Sequence, residues 1–145
     1  MYYCTLEDIE TQISTAVLIQ LTDDTGLQST INSSVVEEAL IYSSTLIDGY
    51  LRGRYTLPLD THFPLLRIIA IDLSIYRLYS RRIQTEIPEA VLEAYKNAIK
   101  TLEQIKKGII SLQTEINNEV SGSPEYRTNK TQKDRLFNKE KLYEY

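Results

Sequence analysis

The feature that most constrains the fold is an apolar run from Phe63 to Arg82. Pro64 begins it, and proline suits the first helical position because its φ is already helical and its missing N–H would have had no partner there. Apolar residues then fall on almost every side of the predicted helix, so we expect other elements to surround it. The charges of Arg67, Asp72 and Arg77 argue against a membrane span, since each would cost about 2.5–3.5 kcal/mol near a bilayer centre.

The N-terminal part of the chain predicts a first amphipathic helix. Thr5 is suited to cap it, because its side-chain oxygen can accept the free N–H three residues on, where Asp8 completes a weak capping box. Apolar residues then recur every three or four positions as far as Leu21. Turn-forming residues follow at 22–26, so we expect the helix to end there and residues 22–33 to form an exposed loop.

Two further amphipathic helices are predicted, one before and one after the apolar run. The first starts at Ser34, where Glu37 would complete a capping box, and ends before Gly53. The second starts at Pro88 and carries a strict apolar stripe up to a stop signal at Gly108.

These patterns together predict an all-α fold. We expect a small bundle of four main helices around a buried central helix at about residues 64–82. Residues 1–108 should form the helical domain, and residues 109–145 a linker and a flexible C-terminal tail, because the apolar periodicity weakens after residue 108. A length of 145 residues suits one compact domain of this kind.

The chain ends in apolar residues although the linker before them is polar. Residues 125–135 contain almost no apolar side chain, whereas the last ten residues regain several. An apolar end on a polar linker needs a surface to dock on, so we predict that it binds a neighbouring subunit or a partner protein. The predicted docking residues are Leu136, Phe137, Leu142 and Tyr143.

Charge and residue counts limit the chemistry that the chain can perform. Residues 1–124 carry a net charge of −6 and residues 125–145 one of +2, so non-specific binding to nucleic acid is disfavoured for the body of the protein. His62 and Cys4 are the only histidine and cysteine, which excludes metal sites of the usual Cys/His types by count. No glycine-rich phosphate loop occurs. We therefore predict no catalysis, no metal and no cofactor.

Two carboxylates interrupt strongly apolar helices. Asp48 and Asp72 would be costly to bury alone, so we expect each to form a structural ion pair with an arginine. The alternative is a carboxylate pair for acid–base chemistry, which would require both groups to share an open pocket. The candidate arginines are Arg52, Arg54, Arg67 and Arg77.

A basic cluster follows at the end of the central helix, formed by Arg77, Arg81 and Arg82. Guanidinium groups bind phosphate or acidic partners. They also complement the negative end of a helix, which is the more common role. The sequence leaves both interpretations open.

Several stretches taken together resemble a known family. They are Leu18–Asp23, Ile47–Leu51, Arg54–Leu59, Ile71–Tyr79 and, in the tail, Arg135–Phe137 and Lys141–Leu142. In the same order, they resemble a family of Mu-like phage and prophage structural proteins classed as a domain of unknown function. Residues 27–33 and 109–130 do not share this resemblance.

The resemblance implies a virion protein of the head–tail junction, similar to the small helical connector or adaptor proteins that form a ring between portal and tail. It would be assembled in the host cytoplasm as a homo-oligomer, in contact with the portal protein and a tail-completion protein. Genomic DNA would pass nearby without specific binding, and no membrane would be involved. The alternative is a small DNA-binding regulator of phage or prophage origin, which the short helices and the arginines at 81 and 82 would suit and which the acidic body disfavours.

The docking role of the tail is testable by truncation. We expect the full-length chain to assemble or to bind its partner, and a chain of residues 1–124 to lose that ability, because the apolar end supplies the contact. Gel filtration with light scattering measures the difference. A truncated chain that assembles and binds as the full-length chain does would contradict the prediction.

Overall fold

A computed structural model describes residues 2–27, 29–59, 63–82 and 86–112. These ranges contain five α-helices and no strand, which confirms the predicted all-α bundle. None of the helices in them has the length and apolarity needed to cross a membrane. The helices are α1 (Leu6–Glu10), α2 (Thr15–Thr22), α3 (Ser33–Leu51), α4 (Pro64–Ser80) and α5 (Glu89–Lys107).

The central helix of the prediction is α4. It begins on Pro64 as expected, and each of the other four helices packs against it. Its surroundings are less complete than predicted, however, because Leu65 and Ile68 keep 37 % and 53 % of their surface exposed. Both lie on the side of α4 that carries Asp72, since residues three, four and seven apart share one side of a helix. The structure thus corrects the expectation that other elements enclose this helix on every side.

The predicted first helix is two helices, α1 and α2. Its start is confirmed: the backbone N–H of Thr5 donates to Asp8 Oδ2 at 2.9 Å, and the Asp8 N–H donates to Thr5 Oγ1 at 3.4 Å. The break has a geometric reason. Ile9 and Leu18 are both fully buried, and residues nine apart in one helix would point about 180° away from each other. Breaking the helix between them lets both side chains reach the core.

Helix α3 covers one side of α4. Its cap is Asn32, whose side chain accepts the N–H of Ser34 at 3.2 Å, so the predicted capping box at Ser34 is wrong. The Glu37 carboxylate instead accepts a hydrogen bond from the Tyr2 hydroxyl. Most of the buried residues of α3 are apolar, but Ser44, which was expected on the polar side, is buried as well. The buried residues are Val35, Val36, Ala39, Leu40, Ser43, Ser44, Ile47 and Leu51.

Helix α5 covers another side and ends as predicted. Gly108 follows it with φ +78°, and Ala98, Leu102 and Ile105 are buried. Beyond the helix, Leu112 is also buried, and its N–H donates to the Tyr55 hydroxyl at 3.0 Å. The packed part of the chain therefore continues past the predicted domain end at residue 108.

The predictions for the tail fall after this point. Residues 113–145 lie outside the described ranges. The predicted docking residues Leu136, Phe137, Leu142 and Tyr143 are among them.

Two glycines should respond to alanine in opposite directions. At Gly108 the left-handed backbone costs a non-glycine residue roughly 1–2 kcal/mol, and the new Cβ would also displace the Arg54 guanidinium. Gly49 lies inside α3 with open space around it, where alanine should stabilise by about 0.5–1 kcal/mol. We expect Gly108→Ala to lower the free energy of unfolding and Gly49→Ala to raise it, as measured by urea denaturation. Equal effects of the same sign would contradict this account.

Candidate functional site

The environment of Cys4 disfavours nucleophilic chemistry at its thiol. Cys4 is buried, with its Sγ 3.8 Å from the Ser74 hydroxyl, and burial raises the pKa of its thiol to about 11. The thiolate needed for nucleophilic chemistry is therefore disfavoured near neutral pH. No group of three or more histidine, cysteine or acidic side chains in these ranges could hold a metal ion. His62 lies outside them.

Asp48 is held by the N-terminal segment. The Tyr3 hydroxyl donates to Asp48 Oδ1 at 2.5 Å, and partial burial together with this carboxylate raises the pKa of the tyrosine. The hydrogen bond joins the start of the chain to α3. It also takes the place of the predicted arginine, since no arginine forms an ion pair with Asp48 among the described residues.

Asp72 lies on the outer side of α4 and is half-buried. Burial raises the pKa of its carboxyl group. It has no hydrogen-bond or ion-pair partner within the described ranges, so the predicted pairing is not found there. Arg77 does not supply it because the two residues are five positions apart, which places their side chains about 140° apart around the helix.

The arginines proposed as partners lie elsewhere. The Arg77 guanidinium is 5.2 Å from the ring centroid of Tyr42, and that of Arg54 is 5.9 Å from the ring of Tyr55. Arg52 is exposed at the end of α3. Arg67 pairs with Asp8, which joins α4 to α1, and this hydrogen bond lowers the pKa of the Asp8 carboxyl.

Two arginines of the basic cluster at the end of α4, Arg81 and Arg82, bind the loop between α2 and α3. Arg81 and Arg82 both contact Asp24, at 2.9 and 3.0 Å from Oδ1, and we call these three residues the Asp24 clamp. Arg81 also donates to the carbonyl of Leu21, and Arg82 to that of Asp23. The two arginines thus complement the carboxyl end of α2, a partner that the sequence alone did not indicate.

Tyrosines form the surface where α3, α4 and α5 meet, and the sequence argument missed them. The rings of Tyr76 and Tyr95 stack with their centroids 3.9 Å apart, and Tyr42 lies beside Tyr95 and contributes to the raised pKa of its hydroxyl. Burial is the main cause of the raised pKa of Tyr95. The signal was present in the composition, because 11 of the 145 residues are tyrosine. Tyrosine provides a large contact area with a polar end, and it is enriched in protein interfaces.

An open groove of about 510 Å³ lies beside these tyrosines. We call it the α3–α5 groove. Thr45 and Gly49 are the small residues in its lining, and the Lys106 ammonium is 5.9 Å from the centroid of the Tyr50 ring. Its lining residues are Tyr42, Thr45, Leu46, Gly49, Tyr50 and Lys106.

Comparison with known proteins relates this chain to proteins of phage Mu. The profile of the family described as Bacteriophage Mu, Gp36 matches residues 3–130. Gene product J of Escherichia phage Mu is 28 % identical over 108 residues, which is 74 % of this chain and 74 % of the relative. The family match thus spans all five helices of the described ranges, including the Asp24 clamp and the α3–α5 groove.

The Asp24 clamp predicts a pH-dependent stability. Its hydrogen bonds to Arg81 and Arg82 lower the pKa of the Asp24 carboxyl to about 2. A lowered pKa stabilises the fold above the carboxyl's ordinary pKa of about 3.9, and this stabilisation is lost as the pH falls toward 2. We expect Asp24→Asn to lower Tm relative to the unmodified protein at pH 5 to 7.

This difference in Tm should shrink progressively as the pH falls below 4. Thermal unfolding followed by circular dichroism measures it. Glu93→Gln is the control, because this exposed carboxylate forms no ion pair in the described part of the chain. A difference that stays constant down to pH 2 would show that the clamp does not contribute.

Proposed function

Because the chain belongs to the Bacteriophage Mu Gp36 family, we propose that it is a structural protein of the phage virion, a ring subunit at the head–tail junction between portal and tail. The observation that carries the proposal is the extent of the family match, residues 3–130, together with the similarity to a protein of phage Mu. The proposed role is structural and involves no catalytic step.

The packing of the domain suits a subunit that must keep its shape under load. Helix α4 is in contact with all four other helices, and two ionic contacts fix the short ones: Arg67 binds Asp8 of α1, and the Asp24 clamp binds the end of α2. Since both short helices are tied to α4, the body can act as one unit in an assembly.

Charge supports a position near DNA without binding to it. The net charge of residues 1–124 is −6, and an acidic surface repels the phosphate backbone of a passing genome. A ring subunit of this kind would let DNA move through the lumen without adhering to its wall.

The tail would supply contacts with a neighbouring subunit, with the portal protein or with a tail-completion protein. Leu136, Phe137, Leu142 and Tyr143 are the proposed contact residues. An apolar segment on a linker can bind a surface several nanometres away without constraining the orientation of its own domain.

A DNA-binding regulator is less well supported by the geometry. The arginines that would contact phosphate, Arg81 and Arg82, are engaged by the Asp24 carboxylate and by the carbonyls of Leu21 and Asp23. Phosphate would have to displace these partners. A gel shift of duplex DNA at modest ionic strength, reversed by added salt, would favour the regulator.

The proposed function is tested in the phage that encodes the chain. We expect the protein to be detected in several copies in purified particles by mass spectrometry. A nonsense mutation in its gene should yield heads and tails that fail to join, as seen by electron microscopy, and a plasmid copy of the gene should restore complete particles. Absence of the protein from purified particles, or normal particles formed without its gene, would overturn the proposal.

A further inference from the structure

One surface of the domain has no described partner although it is apolar. On the outer side of α4, three residues spaced three and four apart form what we call the α4 stripe: Leu65, Ile68 and Asp72. Leu65 and Ile68 are two of the few large apolar residues that the described domain leaves exposed. Asp72 is half-buried and has no ionic partner among the described residues. A helix side that joins apolar residues to such a carboxylate is typical of a contact surface rather than of a solvated face.

A second surface of complementary character lies on α3. The lining of the α3–α5 groove includes two small residues of α3, Thr45 and Gly49, and Ile41 continues the same side of the helix with 48 % of its surface exposed. The charged residue among its lining residues is basic, while Glu38 lies on the same side of α3 one turn before Ile41. Lys106 lines the groove, Arg52 follows Gly49 on the same side of α3, and neither has an acidic partner within the described ranges.

The two surfaces face away from each other. Where α3 and α4 pack together, the Ser74 hydroxyl donates to Ser43 Oγ at 2.9 Å, and both serines are fully buried. Asp72 and Thr45 each lie two residues from one of these serines, which is about 200° around the helix. The α4 stripe and the α3–α5 groove are therefore on opposite sides of the α3–α4 pair.

The surfaces also match in charge. The groove is open and can receive the exposed Leu65 and Ile68 side chains, and the stripe carries a carboxylate where the groove carries the Lys106 ammonium. Burial raises the pKa of the Asp72 carboxyl, which means that the charged form is disfavoured in the single subunit. A cation from a neighbouring copy would stabilise that charged form.

We propose that the α4 stripe of one copy of this chain packs into the α3–α5 groove of the next copy, with Asp72 facing Lys106. The inference rests on the proposed ring and names the surfaces that build it. Different patches on opposite sides of a subunit make a head-to-tail contact, which closes into a ring when the rotation between copies allows it.

Each contact should be weak by itself. A helix of 17 residues is about 25 Å long, and one of its sides offers less than the roughly 800 Å² per partner of a stable complex. Closing a ring makes every subunit hold two neighbours, which strengthens the assembly. A covalent trap is therefore the appropriate test.

The test uses the full-length chain with one added cysteine per variant. Ile68→Cys and Thr45→Cys proteins are mixed and oxidised, and disulfide-linked dimers are quantified on non-reducing gels. We expect the mixture to form cross-linked dimers and each variant alone to form few. The reason is that the α4 stripe of one copy contacts the α3–α5 groove of another copy, and not a second stripe. The control is Leu27→Cys mixed with Thr45→Cys, since Leu27 is 90 % exposed but lies in the α2–α3 loop.

A charge exchange provides the second arm. Asp72→Lys or Lys106→Asp alone should lower the cross-linking yield about tenfold, because each places two like charges opposite each other. The double variant should restore the yield, because it exchanges the two charges and keeps the ion pair between the copies. Glu93→Lys in α5 makes the same change of charge elsewhere and should have little effect. Circular dichroism verifies that each variant is folded.

Each other outcome overturns the proposed interface. Cross-linking no stronger than the control, dominant Ile68→Cys homodimers, or a double variant that stays impaired would each exclude a head-to-tail contact through these surfaces. Such a result leaves the proposed function intact if the chain is found in purified particles. Absence from particles would overturn the function whatever the cross-linking shows.

Discussion

The structure depends on the burial of α4. Leu66, Leu73 and Leu78 lie at almost no exposure along its length, and burial of a leucine side chain contributes about 1.5–3 kcal/mol. No single neighbour can cover so wide an apolar surface. Helices α3 and α5 cover most of it, and α1 and α2 cover part of the rest, so the arrangement of the domain follows from one helix that cannot be left in water.

Polar contacts decide how the short helices are held. Helices α1 and α2 are too short to be stable alone, and each is tied to one end of α4 by arginine: Arg67 near its start, and Arg81 and Arg82 after its end. Burial of apolar side chains thus drives the packing of the long helices. Ionic hydrogen bonds hold the two short helices, which bury little apolar surface of their own.

Two surfaces that the bundle leaves exposed, the α4 stripe and the α3–α5 groove, are relevant to its proposed role. Covering α4 from several directions leaves one apolar stripe on it, and packing α5 beside α3 leaves a groove lined by small and tyrosine side chains. A chain acting alone gains nothing from such surfaces, because exposed apolar area favours association. In a proposed ring subunit they are the natural places for neighbours, and the stripe brings an acidic group where the groove brings a basic one.

The sequence by itself determined where most helices begin and end, because those signals are local: Pro64 at the start of α4, Thr5 with Asp8 at the start of α1, and Gly108 after α5. Similarity to phage Mu proteins was readable for the same reason, since it rests on residues in order along the chain. Only the tertiary structure decided the partner of each charged group and the break between α1 and α2. The ion-pair partners and the helix break depend on the angles at which the helices pack and on which side of each helix faces the core. Residues distant in the chain, such as Asp8 and Arg67, come into contact only when the bundle has formed.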